Sequence, residues 1–420
     1  MKAVPAGAAI GALVARTEIE KPRLLILTST YPRWGGDPEP GFVHELAKRL
    51  TGRFQITVLC PHAPGANPAE VLEGVEVIRY SYASECLETL VNDGGIVTNL
   101  RRSKWKLLLI PGFVIVQAWR AWRLLRTRQI DIVHAHWLIP QGLIAAMLRY
   151  LPGRQVPFVV TSHGADLFAL TGALLQRMKL LVIRNACAIT VVSEVMRERV
   201  SKIDGGVNAV RVLPMGVDLR SRFVPAPQVQ RSDNELLFVG RLVEKKGLRH
   251  LLDAMPKVLR ERPDARLVIV GFGPEEAALK QQARMLGVAR HVEFLGAVPQ
   301  ANLPDLYRRA AVFVAPFVEA ASGDQEGLGL VLVEAMGCGC PVIAGDVPAV
   351  RDILGGALHR IVKARDANAL ATVILDTLAH QRRDLDEAQV LRKFLLEKFD
   401  WQSVSDRYAA LLESCMGARP

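Results

Sequence analysis

Short apolar runs alternate with amphipathic stretches along nearly the whole chain. The first run, 23–28, leads into a loop rich in glycine and proline and then into 42–50, where apolar residues recur at helical spacing. Runs of strand length follow at 55–60, 130–135, 158–162 and 188–193. Because strands that alternate with helices build parallel sheets, residues 23–215 are predicted to form a Rossmann-like α/β domain.

The same pattern begins again after a break at 216–230, which is rich in proline and polar residues and is interpreted as an interdomain linker. A second Rossmann-like domain is therefore predicted over 231–398. Its strands are expected at 235–240, 265–271, 291–295, 312–316 and 341–344. The last segment, 399–420, has the pattern of an amphipathic helix and is expected to pack back onto the first domain.

The first 22 residues precede the first strand. They include the apolar stretch 4–15 behind a single Lys2, so a short secretory signal has to be weighed against a loose extension. The basic region is weak and a strand follows at once, which favours an N-terminal extension. Nowhere does an uninterrupted apolar run reach the length of about 18 residues that a membrane span needs.

Composition narrows the class of partner. The chain has 420 residues, of which 50% are hydrophobic and 6% aromatic, and a formal net charge of +11. A positive charge favours anionic partners such as a nucleotide diphosphate, a membrane surface or a nucleic acid. Nucleic acid is not expected, because neither a recognised binding module nor interleaved aromatic residues are present. The six cysteines lack CxxC or zinc spacing and are interpreted as reduced structural thiols.

Two glutamates, Glu326 and Glu334, enclose a glycine-rich segment at the start of a predicted helix. On a continuous helix their carboxylates would lie about 12 Å apart along the axis. The backbone N–H groups around Gly327 and Gly329 would favour a diphosphate. One acid could then contact each end of an elongated ligand. An N-cap acid followed by a solvent-facing glutamate would give the same pattern.

A second cluster follows the strand that ends at Gly240. It places Arg241 and Lys246 at the carboxyl edge of the second sheet, where ligands of open α/β sheets bind. These two cations could neutralise the charge that grows on a departing diphosphate. A basic loop exposed to solvent would explain the two residues equally well. Gly271 and Gly273 could let the backbone approach a nucleotide. The missing third glycine of a dinucleotide fingerprint argues against a dehydrogenase.

Histidines and glycines occupy the corresponding loops of the first half. His163 follows a predicted strand, and His134 and His136 are also expected just past a strand end. Loops at strand ends carry function, and a histidine there could hydrogen-bond a sugar hydroxyl or a phosphate. A structural histidine is equally consistent with this pattern. Gly36 would allow the first loop to approach a phosphate.

Taken in order, these segments resemble the retaining GT-B glycosyltransferases of family 4, over about residues 23–412. The matching segments are 31–36, 41–48, 134–136, 162–164, 192–194, 214–218, 239–242, 246–247 and 326–334. The resemblance implies an α/β chain of two Rossmann-like domains that face each other across a cleft. It also implies transfer of a hexose, with retention, from a UDP- or GDP-sugar to a glycan or lipid-linked acceptor. No cofactor or metal ion is expected, and the enzyme would be cytoplasmic.

The resemblance also implies roles for single residues. His163 would lie against the transferring sugar, and Glu326 would bind its hydroxyls on the reacting face. The substrate-binding residues that it implies are Gly36, Arg241, Lys246, Gly327, Leu328, Gly329 and Glu334, the last of which would hold the ribose. Two departures limit the comparison: Met215 stands where the family commonly has Asn, and the loop 319–325 is longer than usual, as in some members that assemble exopolysaccharides or lipopolysaccharides.

The segment 99–128 mixes basic residues with tryptophan and aliphatic residues. This pattern is typical of a segment at a membrane interface, and a helix packed on the first sheet explains it nearly as well. An anionic membrane on the inner face of the cell is therefore a candidate partner. The triplet 384–386 has the Asp-x-Asp form of a metal motif but lies among charged residues, so it is interpreted as a solvated helix face.

Three rival functions remain on the sequence alone. An epimerase or phosphorylase acting on sugar substrates could use the same two-domain clamp. A nucleic-acid-binding protein would explain the charge alone. A catalytically silent assembly subunit would keep the fold and lose the site, yet Arg241, Lys246, Glu326 and Glu334 are all present. A transferase is the favoured function.

Overall fold

A computed structural model describes residues 20–37, 41–92, 95–151, 155–354 and 360–417. The extension predicted for residues 1–22 lies almost wholly outside them.

The first half of the chain builds an eight-stranded sheet. Its strands are β1 (Arg23–Leu27), β2 (Gln55–Pro61), β3 (Ala69–Leu72), β4 (Val75–Tyr80), β5 (Ile132–His136), β6 (Phe158–Ser162), β7 (Ala188–Val191) and β8 (Val210–Val212). They lie in the order β3-β4-β2-β1-β5-β6-β7-β8, and only the pair β3–β4 is antiparallel. Residues 24–27 are fully buried, as expected for a central parallel strand that is covered on both faces.

The second half builds a six-stranded, wholly parallel sheet. Its strands are β9 (Glu235–Val239), β10 (Arg266–Val270), β11 (Val292–Gly296), β12 (Val312–Ala315), β13 (Val342–Gly345) and β14 (Ile361–Val362). Their order, β11-β10-β9-β12-β13-β14, is that of a Rossmann fold, with the strand order reversing between β9 and β12. The predicted fold class, α/β with two Rossmann-like sheets, is confirmed.

Helices connect the strands of both sheets. Those of the first half are α1 (Phe42–Leu50), α2 (Gly95–Arg102), α3 (Ile110–Thr127), α4 (Leu143–Leu148), α5 (Ala165–Phe168), α6 (Ala173–Asn185) and α7 (Glu194–Asp204). Those of the second half are α8 (Leu248–Glu261), α9 (Glu276–Met285), α10 (Leu303–Arg309), α11 (Leu330–Gly337), α12 (Pro348–Leu354), α13 (Ala367–Ala379), α14 (Gln381–Phe399) and α15 (Trp401–Gly417).

The end of the chain returns to the first sheet. Helix α15 packs against α1 and against β5 and β6. The Tyr408 hydroxyl donates a hydrogen bond to the Leu213 carbonyl at 2.9 Å, and its ring lies 5.6 Å from that of His134. Where the returning chain meets the linker between the two sheets, the Val217 N–H donates to the Phe399 carbonyl, and the Trp401 N–H donates to the Val217 carbonyl. The first domain is thus completed by the last helix.

Candidate functional site

Loops from the two sheets meet in the cleft at two glycines. Gly164 has a φ of +109°, and a Cβ on it would lie 3.6 Å from the Gly327 Cα. A Cβ on Gly327 would lie 3.0 Å from the His163 carbonyl oxygen. A Cβ at Gly327 would push the two loops apart by a few tenths of an ångström, and one at Gly164 would be strained by the backbone conformation. The structure therefore brings His163 of the first domain beside the glycine-rich segment of the second.

Lys246 and Glu326 form an ion pair at the reversal point of the second sheet. Lys246 follows β9 and Glu326 follows β12, and the Lys246 Nζ lies 2.7 Å from the Glu326 Oε2. The other carboxylate oxygen accepts a 3.2 Å hydrogen bond from the Gly329 N–H. Burial opposes ionisation of Glu326, but the charges of Lys246 and Lys245 outweigh it and lower the pKa to about 2. The site thus holds an ionised carboxylate beside a lysine at the edge where α/β sheets bind ligands.

The backbone around Lys246 is fixed by close packing. Gly247 has a φ of +68°, and a Cβ on it would lie 1.8 Å from the Pro316 carbonyl oxygen, so only glycine fits. The Lys246 ammonium also lies 4.8 Å from the centre of the Phe317 ring. Its neighbour Lys245 pairs with Asp324 at 3.2 Å. The loop after β9 is therefore tied to the loop after β12 at several points.

No continuous helix runs through both glutamates. Helix α11 begins only at Leu330, with Gly329 at its N-cap in the left-handed region at φ +81°. Glu326 therefore lies in the preceding loop, where its carboxylate turns back to the Gly329 N–H. Leu328 is buried, 6% exposed, and holds this turn against the protein interior.

Glu334 lies within α11 and is buried at 8% exposure. The Tyr307 hydroxyl donates a hydrogen bond to its Oε2 at 3.0 Å. Burial raises the pKa of Glu334 to about 7, against the hydrogen bonds from Tyr307 and Gln300, which lower it. The two glutamates of the segment are thus pushed to opposite sides of their ordinary pKa, and Glu334 titrates near neutrality.

The glycines at 271 and 273 are explained by the close packing of two loops. A Cβ on Gly271 would lie 2.0 Å from the Gly240 carbonyl oxygen, and one on Gly273 would lie 2.4 Å from the Leu242 carbonyl oxygen. They allow the loop after β10 to pack directly on the loop after β9. Contact with the neighbouring backbone is sufficient reason for both residues.

The three histidines lie together, but only one reaches the cleft. His134 and His136 belong to β5 and are fully buried, so the expectation that they lie past the strand end was wrong: the strand runs to His136. His163, directly after β6, is half-buried. The His136 Nδ1 lies 2.9 Å from the His163 Nε2. Burial lowers the pKa of His163 to about 3, so the ring is neutral at physiological pH.

Asp166 organises the loops around His163 and was missed from the sequence. This fully buried carboxylate accepts hydrogen bonds from the Ser162 hydroxyl at 2.8 Å and from the Leu138 N–H at 2.6 Å. It therefore ties the loop after β6 to the loop after β5. Its place three residues after His163 was the available signal, since a short acid at a helix start is a common capping device.

The remaining predicted residues are more loosely placed. Gly36 is exposed in the loop after β1, at φ +80° and with open space around it. Arg241 follows β9 at the same edge as Lys246 and is half-buried.

Met215 is buried in the core at 2% exposure. Within the described ranges, no group of three or more His, Cys, Asp or Glu side chains is arranged as a metal site.

Solved structures share this architecture. Sucrose-phosphate synthase from Thermosynechococcus elongatus aligns with a TM-score of 0.75 at 20% identity, over 95% of this chain and 100% of that one. Anabaena HepE, crystallised in complex with UDP-glucose, aligns with a TM-score of 0.67 at 18% identity, over 93% and 99%. Two facing Rossmann sheets with this loop arrangement define the GT-B fold.

Sequence comparison supplies the family. A model described as Glycosyltransferase Family 4 matches residues 42–221, and one described as Glycosyl transferases group 1 matches residues 221–393. The GDP-mannose-dependent alpha-(1-6)-phosphatidylinositol monomannoside mannosyltransferase of Mycolicibacterium smegmatis is 32% identical over 94% of this chain and all of its own. The glycogen synthase of Mycobacterium tuberculosis is 29% identical over 91% and 92%. The chain belongs to glycosyltransferase family 4, which confirms the resemblance seen in the sequence.

Proposed function

We propose that this enzyme transfers a hexose with retention from a nucleotide diphosphate sugar to a lipid-linked acceptor, without a metal ion. The observation that carries the proposal is the ion pair of Lys246 and Glu326 at 2.7 Å beside the contact between Gly327 and His163. A diphosphate at this edge would meet the Lys246 ammonium, and the sugar attached to it would meet the Glu326 carboxylate and the His163 ring.

The proposed reaction needs charge stabilisation on the leaving group. The bond between the sugar C1 and the terminal phosphate oxygen breaks, and a bond from C1 to the acceptor oxygen forms on the same face. The proton of the acceptor hydroxyl passes to the departing diphosphate. Lys246 and Arg241 would stabilise the negative charge that develops there, which is the task that a divalent cation performs in other enzymes.

The names of the relatives suggest which donor nucleotide to test first. The relative from Mycolicibacterium smegmatis is GDP-mannose-dependent by name, so GDP-mannose is the first donor to test, with UDP-glucose beside it. A ligand that binds only the native state raises its melting temperature. We expect one nucleotide family to shift the melting temperature, and the shift to be lost in Lys246→Ala.

Transfer itself is tested with the donor that binds and a phosphoinositide or polyprenyl acceptor. Proton NMR of the product would give the anomeric configuration, which we expect to match that of the donor. Activity should persist after treatment with EDTA. Inversion, or loss of activity that added Mg²⁺ restores, would contradict the proposal. Turnover of the donor without an acceptor would favour the epimerase or phosphorylase, and no binding by folded protein would favour a silent subunit.

A membrane contact is part of the proposal, and the outer surface of α3 supports it. Ile115 and Trp119 lie exposed on the helix at i, i+4 spacing, at 65% and 48%, and Leu108, just before the helix, is 81% exposed. Trp105 and Leu107, in the turn before the helix, are also exposed. We call these five side chains the apolar stripe. Several exposed apolar side chains that lie side by side mark an interaction surface.

The charge of this segment supports an anionic membrane as the partner of the apolar stripe. Between residues 95 and 130 the sequence has eight basic residues and no acidic one. Arg120 and Arg123 stack beside Trp119, with their guanidinium carbons 5.3 and 5.8 Å from the centre of its ring. Aliphatic and tryptophan side chains flanked by arginine are suited to the interface of an anionic bilayer. The enzyme would then act at the cytoplasmic face of the membrane.

Helix α3 does not need to cross the bilayer for this contact. The segment Lys104–Thr127 is long and apolar enough to span by composition, as are core helices of other proteins. Its opposite face, with Phe113, Gln117 and Ala121, is buried on the first sheet. The Gln117 side chain donates a hydrogen bond to the Thr28 carbonyl at 3.2 Å. A helix fixed in this way would lie on the membrane with its outer stripe in the interface.

Flotation with vesicles tests the membrane contact. We expect the protein to float with vesicles that contain phosphatidylglycerol, and less so with phosphatidylcholine alone or at high salt. The double variant Leu108→Glu, Ile115→Glu should stay in solution. Val207→Glu is the matched control, because Val207 is an equally exposed apolar residue, at 80%, outside the stripe. Equal flotation of both variants would contradict the contact.

A further inference from the structure

Among the described residues, the His136 side chain makes a single hydrogen bond, and that bond is to the histidine in the cleft. The two imidazole rings are nearly parallel, at 8°, with centres 5.2 Å apart. The His136 Nδ1 and the His163 Nε2 lie 2.9 Å apart, so one hydrogen atom lies between them. Which ring supplies that hydrogen decides which nitrogen of His163 carries its own proton.

Both rings are neutral, because burial lowers the pKa of each far below neutrality. A neutral imidazole has one N–H donor and one acceptor nitrogen. If the His136 Nδ1 accepted the hydrogen bond from His163, the proton of His136 would lie on the His136 Nε2. That atom is buried and has no hydrogen-bond partner in the part of the chain that the structure describes.

A buried N–H without an acceptor is rarer and costlier than a buried lone pair without a donor. The orphaned His136 Nε2 therefore carries the lone pair, and the proton lies on Nδ1. The Nδ1–H then donates to the His163 Nε2, which must be unprotonated. It follows that the proton of His163 lies on its Nδ1.

We infer that His136 is a positioning residue, which holds His163 in the Nδ1–H tautomer so that an N–H donor faces the donor sugar. No described residue bonds to the His163 Nδ1, so this donor is available for a sugar hydroxyl. The inference rests on the proposed function in one respect, that His163 contacts the transferring sugar. The tautomer itself is a property of the protein without ligand.

Orientation and tautomer have separate causes in this site. The His163 ring packs against Phe42 and Trp137, with ring centres 4.8 and 5.0 Å away. These contacts hold the plane of the ring whatever its protonation. Only the hydrogen bond from His136 distinguishes the two nitrogens. Removing that bond should therefore change the tautomer without displacing the ring.

His134 provides a matched control. It is as buried as His136 and lies in the same strand, but its Nε2 bonds to the Thr161 hydroxyl at 2.7 Å and not to His163. A His134→Gln variant keeps a donor near that hydroxyl. It perturbs the cluster to a similar degree and leaves the bond between His136 and His163 in place.

The decisive experiment is a two-bond ¹H–¹⁵N NMR spectrum of the ligand-free protein labelled with ¹⁵N-histidine. It distinguishes the two tautomers, and His163→Asn assigns the signal. We expect the Nδ1–H form in the wild type, in His134→Gln and in His136→Asn, whose amide can donate from the same place. In His136→Phe the Nδ1–H fraction should fall. An Nε2–H signal for His163 in the wild type would overturn the inference, as would no change in His136→Phe.

Kinetics give a second readout that a purely structural role would not produce. In His136→Phe we expect kcat/KM for sugar transfer to fall about 10- to 100-fold, as for other lost transition-state donors. The Kd of the free nucleoside diphosphate should not change, because it lacks the sugar. Recovery of kcat/KM in His136→Asn would support the inference, and equal losses in the Asn and Phe variants would contradict it. If the wild type transfers no sugar at all, the proposed function fails while the tautomer result still stands.

Discussion

The Lys246 ammonium and the Glu326 carboxylate, 80 residues apart in sequence, lie 2.7 Å apart in the cleft. They come from the loops after β9 and β12, the two strands between which the order of the second sheet reverses. In the ligand-free protein each charge is neutralised by the other. A diphosphate would share the ammonium and leave the carboxylate oriented toward the sugar.

Lys246→Ala should therefore lower kcat/KM about 100-fold, because a cation that stabilises the leaving group is lost in the transition state. Steady-state kinetics with the identified donor measure this. Lys257→Ala is the control, since Lys257 lies in the same domain, in the second half of α8, and donates a hydrogen bond to the Thr372 hydroxyl at 2.9 Å. Equal activity of the two variants would exclude the role proposed for Lys246.

The stability of the protein should depend on pH through Glu334. Its pKa is about 7 in the fold against an ordinary value of 4.5, so the native state keeps a proton that the unfolded chain releases. The contribution to stability is present below pH 4.5 and is lost as pH rises through 7. It amounts to about 1.4 kcal/mol per pH unit in this window, or about 3 kcal/mol in all. Glu334→Gln, which is neutral throughout, should lack it.

Urea unfolding of wild type and Glu334→Gln at several pH values measures this difference. We expect the free energy of unfolding of the wild type to fall relative to that of the variant between pH 4.5 and 7.5. Parallel curves would show that the carboxyl group is ionised in the fold at the lower pH.

Tyr307→Phe should move the pH dependence of donor binding. The variant loses the hydroxyl that donates to Glu334 at 3.0 Å, so the pKa of Glu334 should rise further. With a rise of about one unit, the ionised fraction at pH 7 falls from about a half to about a tenth, and nucleotide affinity falls about 5-fold. Affinity should recover at higher pH. Isothermal titration at pH 7 and 8.5 would show it.

The matched control is Tyr80→Phe, because the Tyr80 hydroxyl is also buried and has no hydrogen-bond partner in the described structure. Its affinity should equal that of the wild type at both pH values. A Tyr307→Phe variant whose weakened binding did not recover at pH 8.5 would point to a packing defect and not to Glu334.

Gly327→Ala should impair turnover without lowering stability. The added Cβ would lie 3.0 Å from the His163 carbonyl oxygen, so the loops of the two domains would move apart by a few tenths of an ångström. Displaced reacting groups lower kcat, here by about 10-fold. Gly52→Ala, with open space around the new Cβ, should behave as wild type. Unchanged kcat in Gly327→Ala would mean that the two loops do not close together in the reaction.

Elements with strong patterns were predictable from the sequence, and weaker ones were not. Helix Phe42–Leu50 and strand Phe158–Ser162 appear with the predicted bounds because apolar spacing and flanking glycines agree at both. Strands Ala69–Leu72 and Val75–Tyr80 were missed. The first is the edge strand of the sheet and the second lies beside it. Both contain charged residues, so they lack the continuous apolar run of the central strands.

The sequence indicated which residues could form the candidate site, but not which of them are in contact. The pairing of Lys246 with Glu326 depends on which strands adjoin, and the hydrogen bond from Tyr307 to Glu334 depends on how α10 packs on α11. Neither follows from local pattern. His136 was predicted just past a strand end, but the strand continues through Ala135 and ends at His136 itself. The predicted catalytic and binding roles themselves remain predictions.

The crossing of the chain at Val217 and Asp400 has a mechanical consequence. The two connections between the sheets form a short parallel β-bridge at this point, with the Val217 N–H bonded to the Phe399 carbonyl at 2.8 Å. Two strands joined side by side resist sliding but can twist about their common line. Motion between the halves of the enzyme should therefore be a rotation about this bridge, which sweeps Gly327 and His163 apart and returns them to the same place.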